Sequence, residues 1–175
     1  MTAQRRVYYR HAIYHIVSRG NNKQKILEGD QNKTLFIEIL EKYKKRFSFK
    51  LYAFVVMDNH IHLVVEATDV QPISRIMQSI LLSYSCHYRN KTAYVGHVWQ
   101  GRFRSSLIEG EQYIIECINY IHHNPVRAKM VSLATDYCWS SACFYDNLGN
   151  REVSDRLGID RWTLLPEANE NKEDR

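Results

Sequence analysis

The sequence predicts an α+β fold, in which an antiparallel β-sheet carries helices on one face. Segments rich in β-branched and aromatic residues alternate with segments whose apolar residues recur at helical spacing. In addition, two of the strand segments are joined by a tight turn. The 175 residues are enough for one domain with a hydrophobic core, and the 45% hydrophobic and 25% charged residues are typical of globular proteins.

The N-terminal third is predicted to contain a strand and a helix. The strand extends from His11 to Ser18, where β-branched and aromatic residues precede the turn signal RGNN. The helix that follows has Asp30 or Asn32 as its capping residue and ends near position 46. Its apolar positions recur at helical spacing and are Leu35, Phe36, Ile39, Leu40 and Tyr43.

The middle of the chain is predicted to form a hairpin and a second helix. Two β-rich segments, FKLYAFVVM and HIHLVVEA, are joined by MDNH, in which Asp and Asn supply turn chemistry. Residues 73 to about 89 keep an apolar stripe at helical spacing, and Pro72 favours a helix start just before them.

A further strand and a third helix complete the pattern. The segment HVWQGRFRSSLIE predicts a strand in which Arg102 and Arg104 share a face, because side chains alternate along a strand. The segment GEQYIIECINYIHHNPV predicts a helix that ends before Pro125. The order β-α-β-β-α-β plus a helix fits a ferredoxin-like split βαβ arrangement, with the second sheet face available to a ligand.

Basic residues are concentrated at the N-terminal end. The first 50 residues contain twelve Lys and Arg against four Asp and Glu, whereas the net charge of the whole chain is only +5. Lys and Arg displace counterions from phosphates, so this asymmetry favours a nucleic acid as the partner. A solvated basic helix face at KYKKRF is the alternative.

The sequence gives no indication of export or of a membrane partner. Its apolar runs are shorter than the roughly 18–20 residues that span a bilayer, and the segment MTAQRRVYYRHA lacks the apolar core of a signal peptide. The four cysteines have no C-x-x-C spacing and are expected to be reduced. We therefore expect a cytoplasmic protein.

Two histidines lie in the second strand of the predicted hairpin. Because they are two residues apart, His60 and His62 project from the same face at a separation of about 6.6 Å, and both can bind one metal ion. Val55, Leu63 and Val65 are assigned to the opposite, core-facing side. Two imidazoles are an incomplete ligand set, which suits a catalytic metal with open positions. Two partly exposed strand histidines without a metal are the alternative.

The third helix carries tyrosines away from its isoleucine-rich face. Steps of 100° per residue place Tyr113, Glu116, Cys117 and Tyr120 together on the other side. A tyrosine beside a metal site can attack a phosphodiester, and the resulting phosphotyrosine can be reversed by a free 3′-hydroxyl without ATP. This use makes the third helix a C-terminal catalytic helix. An amphipathic surface tyrosine is the alternative.

Four segments between positions 14 and 139 carry a family resemblance. They are YHIVSRGNNKQKI, MDNHIHLVVE, HVWQGRFRSSLIE and QYIIECINYIHHNPVRAKM. Together they resemble the REP-associated tyrosine transposases and related insertion-sequence transposases of the HUH single-strand endonuclease superfamily. The resemblance implies a single catalytic domain, which we expect to span residues 1–165, and the polar composition of residues 166–175 predicts a C-terminal tail. The resemblance also implies nicking of single-stranded or hairpin DNA with Mg²⁺ or Mn²⁺, through a 5′-phosphotyrosine, in transposition or recombination.

The resemblance also assigns roles to individual residues. His60 and His62 match the metal-binding pair and Tyr113 matches the nucleophile, with Tyr120 as the competing candidate. Relatives often have a glutamine ligand one turn beyond the tyrosine, but that position is Cys117 here. Glu116 is expected to replace it as the third metal ligand, with Cys117 or another residue as the alternative. The DNA-binding residues that we expect are Arg19, Lys23, Arg102 and Arg104.

Two other functions are compatible with the sequence. One is a nucleic-acid-binding module that keeps the fold without the activity, and the other is a metal phosphodiesterase that uses water. The sequence also leaves open whether the protein is a monomer or a homodimer that shares its active site between subunits.

Overall fold

The computed structural model describes Tyr9 and residues 11–67, 69–146 and 150–162, so the predicted tail at residues 166–175 lies outside the described residues. One antiparallel sheet has the strand order β2-β3-β1-β4. Helix α1 connects β1 to β2, and helix α2 connects β3 to β4, which confirms the predicted ferredoxin-like order. The bounds are β1 Ile13–Arg19, α1 Asp30–Phe47, β2 Lys50–Val56, β3 His60–Glu66, α2 Ile73–Thr92 and β4 Arg104–Ile108.

The main core lies between one sheet face and helices α1 and α2. Alternate residues of β1 and β3, such as Ile16 and Leu63, are fully buried there because a strand turns every second side chain to the same face. Phe36 of α1 and Tyr84 of α2 fill the space above them with ring centroids 5.7 Å apart. The apolar stripes predicted for the two helices are therefore confirmed as their buried faces.

Helix α3, Glu111–His122, packs on the opposite sheet face. Ile114, Cys117, Ile118 and Ile121 are buried against residues of β2 and β3 that include Val64. The expectation that this face stays open is wrong for the part that α3 covers. The prediction that Cys117 lies on the polar side of the helix is wrong too, because positions 114, 117, 118 and 121 form one continuous buried helix face.

The C-terminal segment covers the outer edge of β2. The backbone N–H of Val56 donates to the carbonyl of Trp139 at 2.9 Å, and the N–H of Ser141 donates to the carbonyl of Phe54 at 3.1 Å. These bonds pair an edge that would otherwise be free to pair with another chain. The remaining short elements are α4 Asn124–Arg127, α5 Ala142–Asp146 and α6 Glu152–Leu157, with 3₁₀ turns at Asn21–Lys23 and Ala134–Asp136.

Two strand predictions differ from the structure. The strand predicted over residues 97–109 is regular only in β4, and Arg102 precedes it in an irregular segment that follows Gly101, whose φ is 75°. Val55 lies directly opposite His62 and so shares its sheet face, although we assigned it to the opposite one. Side-chain alternation cannot be counted through the turn at positions 57–59, because turn residues do not keep the period of a strand.

Helix α3 does not continue into the NPV motif. It ends at His122, and Pro125 lies near the start of the separate turn α4, where a missing backbone N–H costs nothing. Among the described residues, no helix is long and apolar enough to cross a membrane.

We expect the buried His122 to make the stability of the fold sensitive to acid. Its Nε2 lies 2.8 Å from Ser141 Oγ, and burial lowers its pKa to about 3. Because the unfolded chain takes up this proton below about pH 6.5, the histidine stabilises the fold above that pH, and this contribution is lost as the pH falls towards 3. The loss is about 1.4 kcal/mol per pH unit.

Urea unfolding from pH 7.5 to 4.5 measures this effect. We expect the free energy of unfolding of His122→Gln to fall less steeply with acid than that of the wild type. His123→Gln is the matched control, because the neighbouring imidazole is exposed, and its slope should equal that of the wild type. Equal slopes for all three proteins would contradict the role of His122.

Candidate active site

The register of β1 against β3 brings the two histidines that we predicted to bind a metal into a polar patch. His60 lies opposite Arg19, and His62 lies opposite Val17. The centroids of the two imidazoles are 5.1 Å apart, which confirms that they project from the same face. His62 is only 6% exposed, whereas His60 is half-buried. The strand pattern therefore places both rings at the margin of the second sheet face.

Each imidazole is oriented through its Nδ1 atom. His62 Nδ1 lies 2.8 Å from Nε2 of His15, a residue of β1, and His60 Nδ1 donates to Asn59 Oδ1 at 2.6 Å. Burial, followed by the nearby His15 and His60, lowers the pKa of His62 to about 3. Burial and the charge of Arg19 also lower the pKa of His60, and burial lowers that of His15. All three rings are therefore neutral near pH 7.

The turn that precedes His60 is held in place from several sides. Lys33 of α1 is almost completely buried, and its Nζ lies 2.6 Å from Asp58 Oδ1. The carbonyls of Asp58 and Asn59 each accept a backbone hydrogen bond at 2.8 Å, from Leu27 and Gly20 respectively. The hairpin turn therefore presents His60 from a fixed backbone.

The end of helix α3 approaches the histidines with Tyr120. The ring centroid of Tyr120 is 5.8 Å from that of His62 and 6.2 Å from that of His15, both in edge contacts. The guanidinium of Arg127 lies 4.8 Å from the same tyrosine ring. Asn124 donates to the carbonyl of Tyr120 at 2.8 Å, and its side chain also hydrogen-bonds His60. One chain thus supplies histidines and tyrosine together.

The structure places Tyr113 and Glu116 away from these contacts. Tyr113 is 53% exposed against 43% for Tyr120, and it precedes Tyr120 by seven residues, which is about 10.5 Å along a helix. Glu116 is exposed and accepts a hydrogen bond from Gln112 of its own helix at 3.3 Å. The roles of Tyr113 and Glu116 stay predictions, and the contacts favour Tyr120 as the tyrosine of the site.

The donor atoms fit a metal site that the protein fills only in part. Neutral imidazole is the form that binds metal ions, and a hydrogen bond at Nδ1 leaves Nε2 to face a ligand. His60 meets both conditions because its Nδ1 donates to Asn59, and His62 meets them in the tautomer whose Nδ1 donates to His15. Across the residues that the structure describes, no group of three or more His, Cys, Asp or Glu side chains could hold a metal ion. Two histidines would be an open ligand set, which substrate or water would complete.

The three arginines among the four predicted DNA-binding residues line one pocket beside the histidines. The pocket has a volume of about 220 Å³ and includes Arg19, Arg102 and Arg104 with Gln100. Arg104 lies opposite Val17 on the side of β1 away from β3. Lys23 is exposed in the 3₁₀ turn and does not line the pocket.

Comparison with known proteins shows the family. The family described as "Transposase IS200 like" matches residues 8–124. The chain belongs to the IS200-like transposases. A curated protein of Haemophilus influenzae, provisionally described as a REP-associated tyrosine transposase, is 23% identical over 133 residues, which cover 66% of this chain and 76% of that protein.

One solved structure shows the same fold. The structure of a REP-associated tyrosine transposase bound to a REP hairpin has a TM-score of 0.69 and 20% identity, and it covers 93% of this chain and 92% of that chain. A structure from Deinococcus radiodurans, provisionally described as a transposase, has a TM-score of 0.49 and 18% identity, with 70% of this chain and 97% of that chain covered. The resemblance noted in the sequence is thus confirmed.

Four residues of the candidate site in this transposase were not predicted from its sequence. His15, Asn59, Asn124 and Arg127 all contact a histidine or Tyr120 in the structure. The strand pattern contained a signal for His15, which is out of phase with the core residues of β1. The other three depend on contacts between elements, so a local pattern does not find them.

We expect Arg102 to contribute more to DNA binding than Lys23. Each phosphate contact adds about one to the salt slope of the binding constant. Arg102→Gln should therefore weaken binding of a labelled single-stranded oligonucleotide and lower that slope by about one. Lys23→Gln, the control outside the pocket, should change either quantity less. Fluorescence anisotropy across a salt series measures both, and an equal or larger effect of Lys23→Gln would contradict the pocket as the DNA site.

Proposed function

We propose that this transposase is a metal-dependent single-strand DNA endonuclease and strand transferase, with Tyr120 as its nucleophile. The observation that carries the proposal is the contact between the Tyr120 ring and His62 within one chain, at 5.8 Å between centroids. Membership of a transposase family supports DNA as the substrate. The hairpin complex of the REP-associated relative supports a hairpin-forming repeat as the target.

The proposed reaction is a transesterification at one phosphodiester. The phenolic oxygen of Tyr120 forms a bond to phosphorus, and the bond from phosphorus to the 3′ oxygen breaks. The phenolic proton goes to solvent, and the departing 3′ oxygen takes up a proton. The products are a 5′-phosphotyrosine and a free 3′-hydroxyl, and a second 3′-hydroxyl can reverse the step because the ester bond is conserved.

His60 and His62 would hold a divalent ion, Mg²⁺ or Mn²⁺. Such an ion polarises the phosphate and stabilises the negative charge of the transition state. The protein's own part is to keep both rings neutral and oriented through His15 and Asn59, so that no proton has to leave an imidazole before it binds the metal.

Basic side chains supply the remaining positive charge. Arg19, Arg102 and Arg104 would hold the DNA backbone in their pocket next to the histidines. The guanidinium of Arg127 lies on the face of the Tyr120 ring, where it would fix the ring and stabilise charge that builds up on the phenolic oxygen. In this arrangement the phosphate is attacked between the tyrosine and the histidine pair.

A covalent-adduct assay tests the nucleophile. We expect a labelled single-stranded hairpin with Mn²⁺ to give a protein–DNA adduct that survives denaturing electrophoresis. Tyr120→Phe should abolish the adduct, because it removes the attacking oxygen, while it retains DNA affinity within about threefold. Tyr113→Phe is the matched control on the same helix, and we expect it to form adduct at a rate within about threefold of the wild type.

Other outcomes distinguish the alternatives. Loss of the adduct in Tyr113→Phe with retention in Tyr120→Phe would return the nucleophile to Tyr113. Cleaved DNA without any adduct would indicate a phosphodiesterase that uses water. Binding that is unchanged by chelation, with neither cleavage nor adduct on any hairpin, would indicate a module that binds DNA without activity.

A further inference from the structure

His15 lies behind the histidine pair and is not part of the motif that carries the resemblance at His60 and His62. Its ring lies edge to edge with that of His62 and nearly in the same plane, with centroids 5.1 Å apart and an angle of 19° between planes. The Nε2 atom of His15 lies 2.8 Å from Nδ1 of His62. His15 also meets the edge of the Tyr120 ring at 6.2 Å. It therefore contacts both halves of the proposed site.

The hydrogen bond between the two imidazoles can be formed in two ways. If His15 Nε2 carries the proton, it donates to His62 Nδ1, and the neutral His62 must then carry its own proton on Nε2. That form of His62 has no free nitrogen for a metal. If His62 Nδ1 carries the proton instead, it donates to His15, and His62 Nε2 has a free lone pair. Only the second form can bind a metal ion.

Burial supports one fixed arrangement of this pair. His62 is 6% exposed, and His15 is half-buried in β1, so few water molecules can compete for the ring nitrogens. The two rings are held by neighbouring strands whose register sets His62 opposite Val17, two residues from His15. His15 is consequently the available partner for Nδ1, as Asn59 is for His60.

We propose that His15 is a positioning residue that accepts a hydrogen bond from His62 Nδ1 and so directs His62 Nε2 towards the metal ion. This inference rests on the proposed function, in which His60 and His62 bind the metal. His15 itself is not assigned as a ligand, because its Nε2 faces the ring of His62 and, within the described residues, no set of three such groups could hold a metal. Outer partners of this kind typically contribute a factor of about 10 to 100 in metal affinity.

Mn²⁺ binding to the protein without DNA tests the proposal independently of activity. Electron paramagnetic resonance of free Mn²⁺ gives the dissociation constant. His15→Phe keeps an aromatic ring at this position but loses the acceptor, and we expect it to weaken Mn²⁺ binding by about 10- to 100-fold. His15→Gln can place an oxygen near the position of Nε2, and we expect it to restore affinity to within about threefold of the wild type.

Two controls separate this inference from the proposed metal site. His60→Ala should lose Mn²⁺ binding, and His87→Phe, which changes an exposed histidine of α2, should bind like the wild type. If the wild type and His60→Ala bind Mn²⁺ equally, the metal site of the proposed function is wrong. If His60→Ala loses binding while His15→Phe keeps it within threefold of the wild type, only the role of His15 is overturned.

If His15→Phe fails to fold, nuclear magnetic resonance of the wild type tests which nitrogen of His62 binds the metal, without a substitution at position 15. The imidazole ¹⁵N shifts of the wild type, with Zn²⁺ as a diamagnetic probe, report which nitrogen of His62 carries the proton. We expect the proton on Nδ1 and the metal on Nε2. A proton on Nε2 of His62 in the presence of Zn²⁺ would overturn the proposal.

Discussion

The antiparallel register between β1 and β3 is the constraint on which the candidate active site depends. It sets Val17 opposite His62 and Arg19 opposite His60, so that a basic residue and the imidazole of His15 lie beside the histidine pair. A slip of one residue would turn these side chains into the core and the apolar residues out. Burial of Ile16 and Leu63 under α1 and α2 therefore fixes the polar face as firmly as the apolar one.

Helix α3 adds the second half of the site through its own apolar packing. Its buried stripe, which includes Ile118 and Ile121, lies on the sheet, and this determines where the helix ends relative to the histidines. Because the helix breaks between His122 and Pro125, the turn α4 brings Arg127 back into contact with the ring of Tyr120. The same break places Asn124 within hydrogen-bonding reach of His60. The geometry of the candidate site and the hydrophobic packing are thus coupled in one short segment.

The sequence predicted the element order and the histidine pair, because both follow from local periodicity. It could not separate Tyr113 from Tyr120, since seven residues complete almost two helical turns and both tyrosines point the same way. Their distance from His62 depends on where α3 crosses the sheet, which only packing determines. The sheet face on which Val55 lies likewise depends on turn geometry rather than on the alternation of residue types. The same holds for the irregular segment before β4, where a strand was predicted.

The covalently modified residue tests the central claim most directly. No Lys or Arg separates the two tyrosines, so trypsin releases a single peptide of residues 105–127 that contains both. Tandem mass spectrometry of the nuclease-trimmed adduct locates the attached nucleotide from fragments broken between positions 113 and 120. The account predicts that the added mass remains with Tyr120, the ring in contact with His62. Attachment to Tyr113 would contradict it.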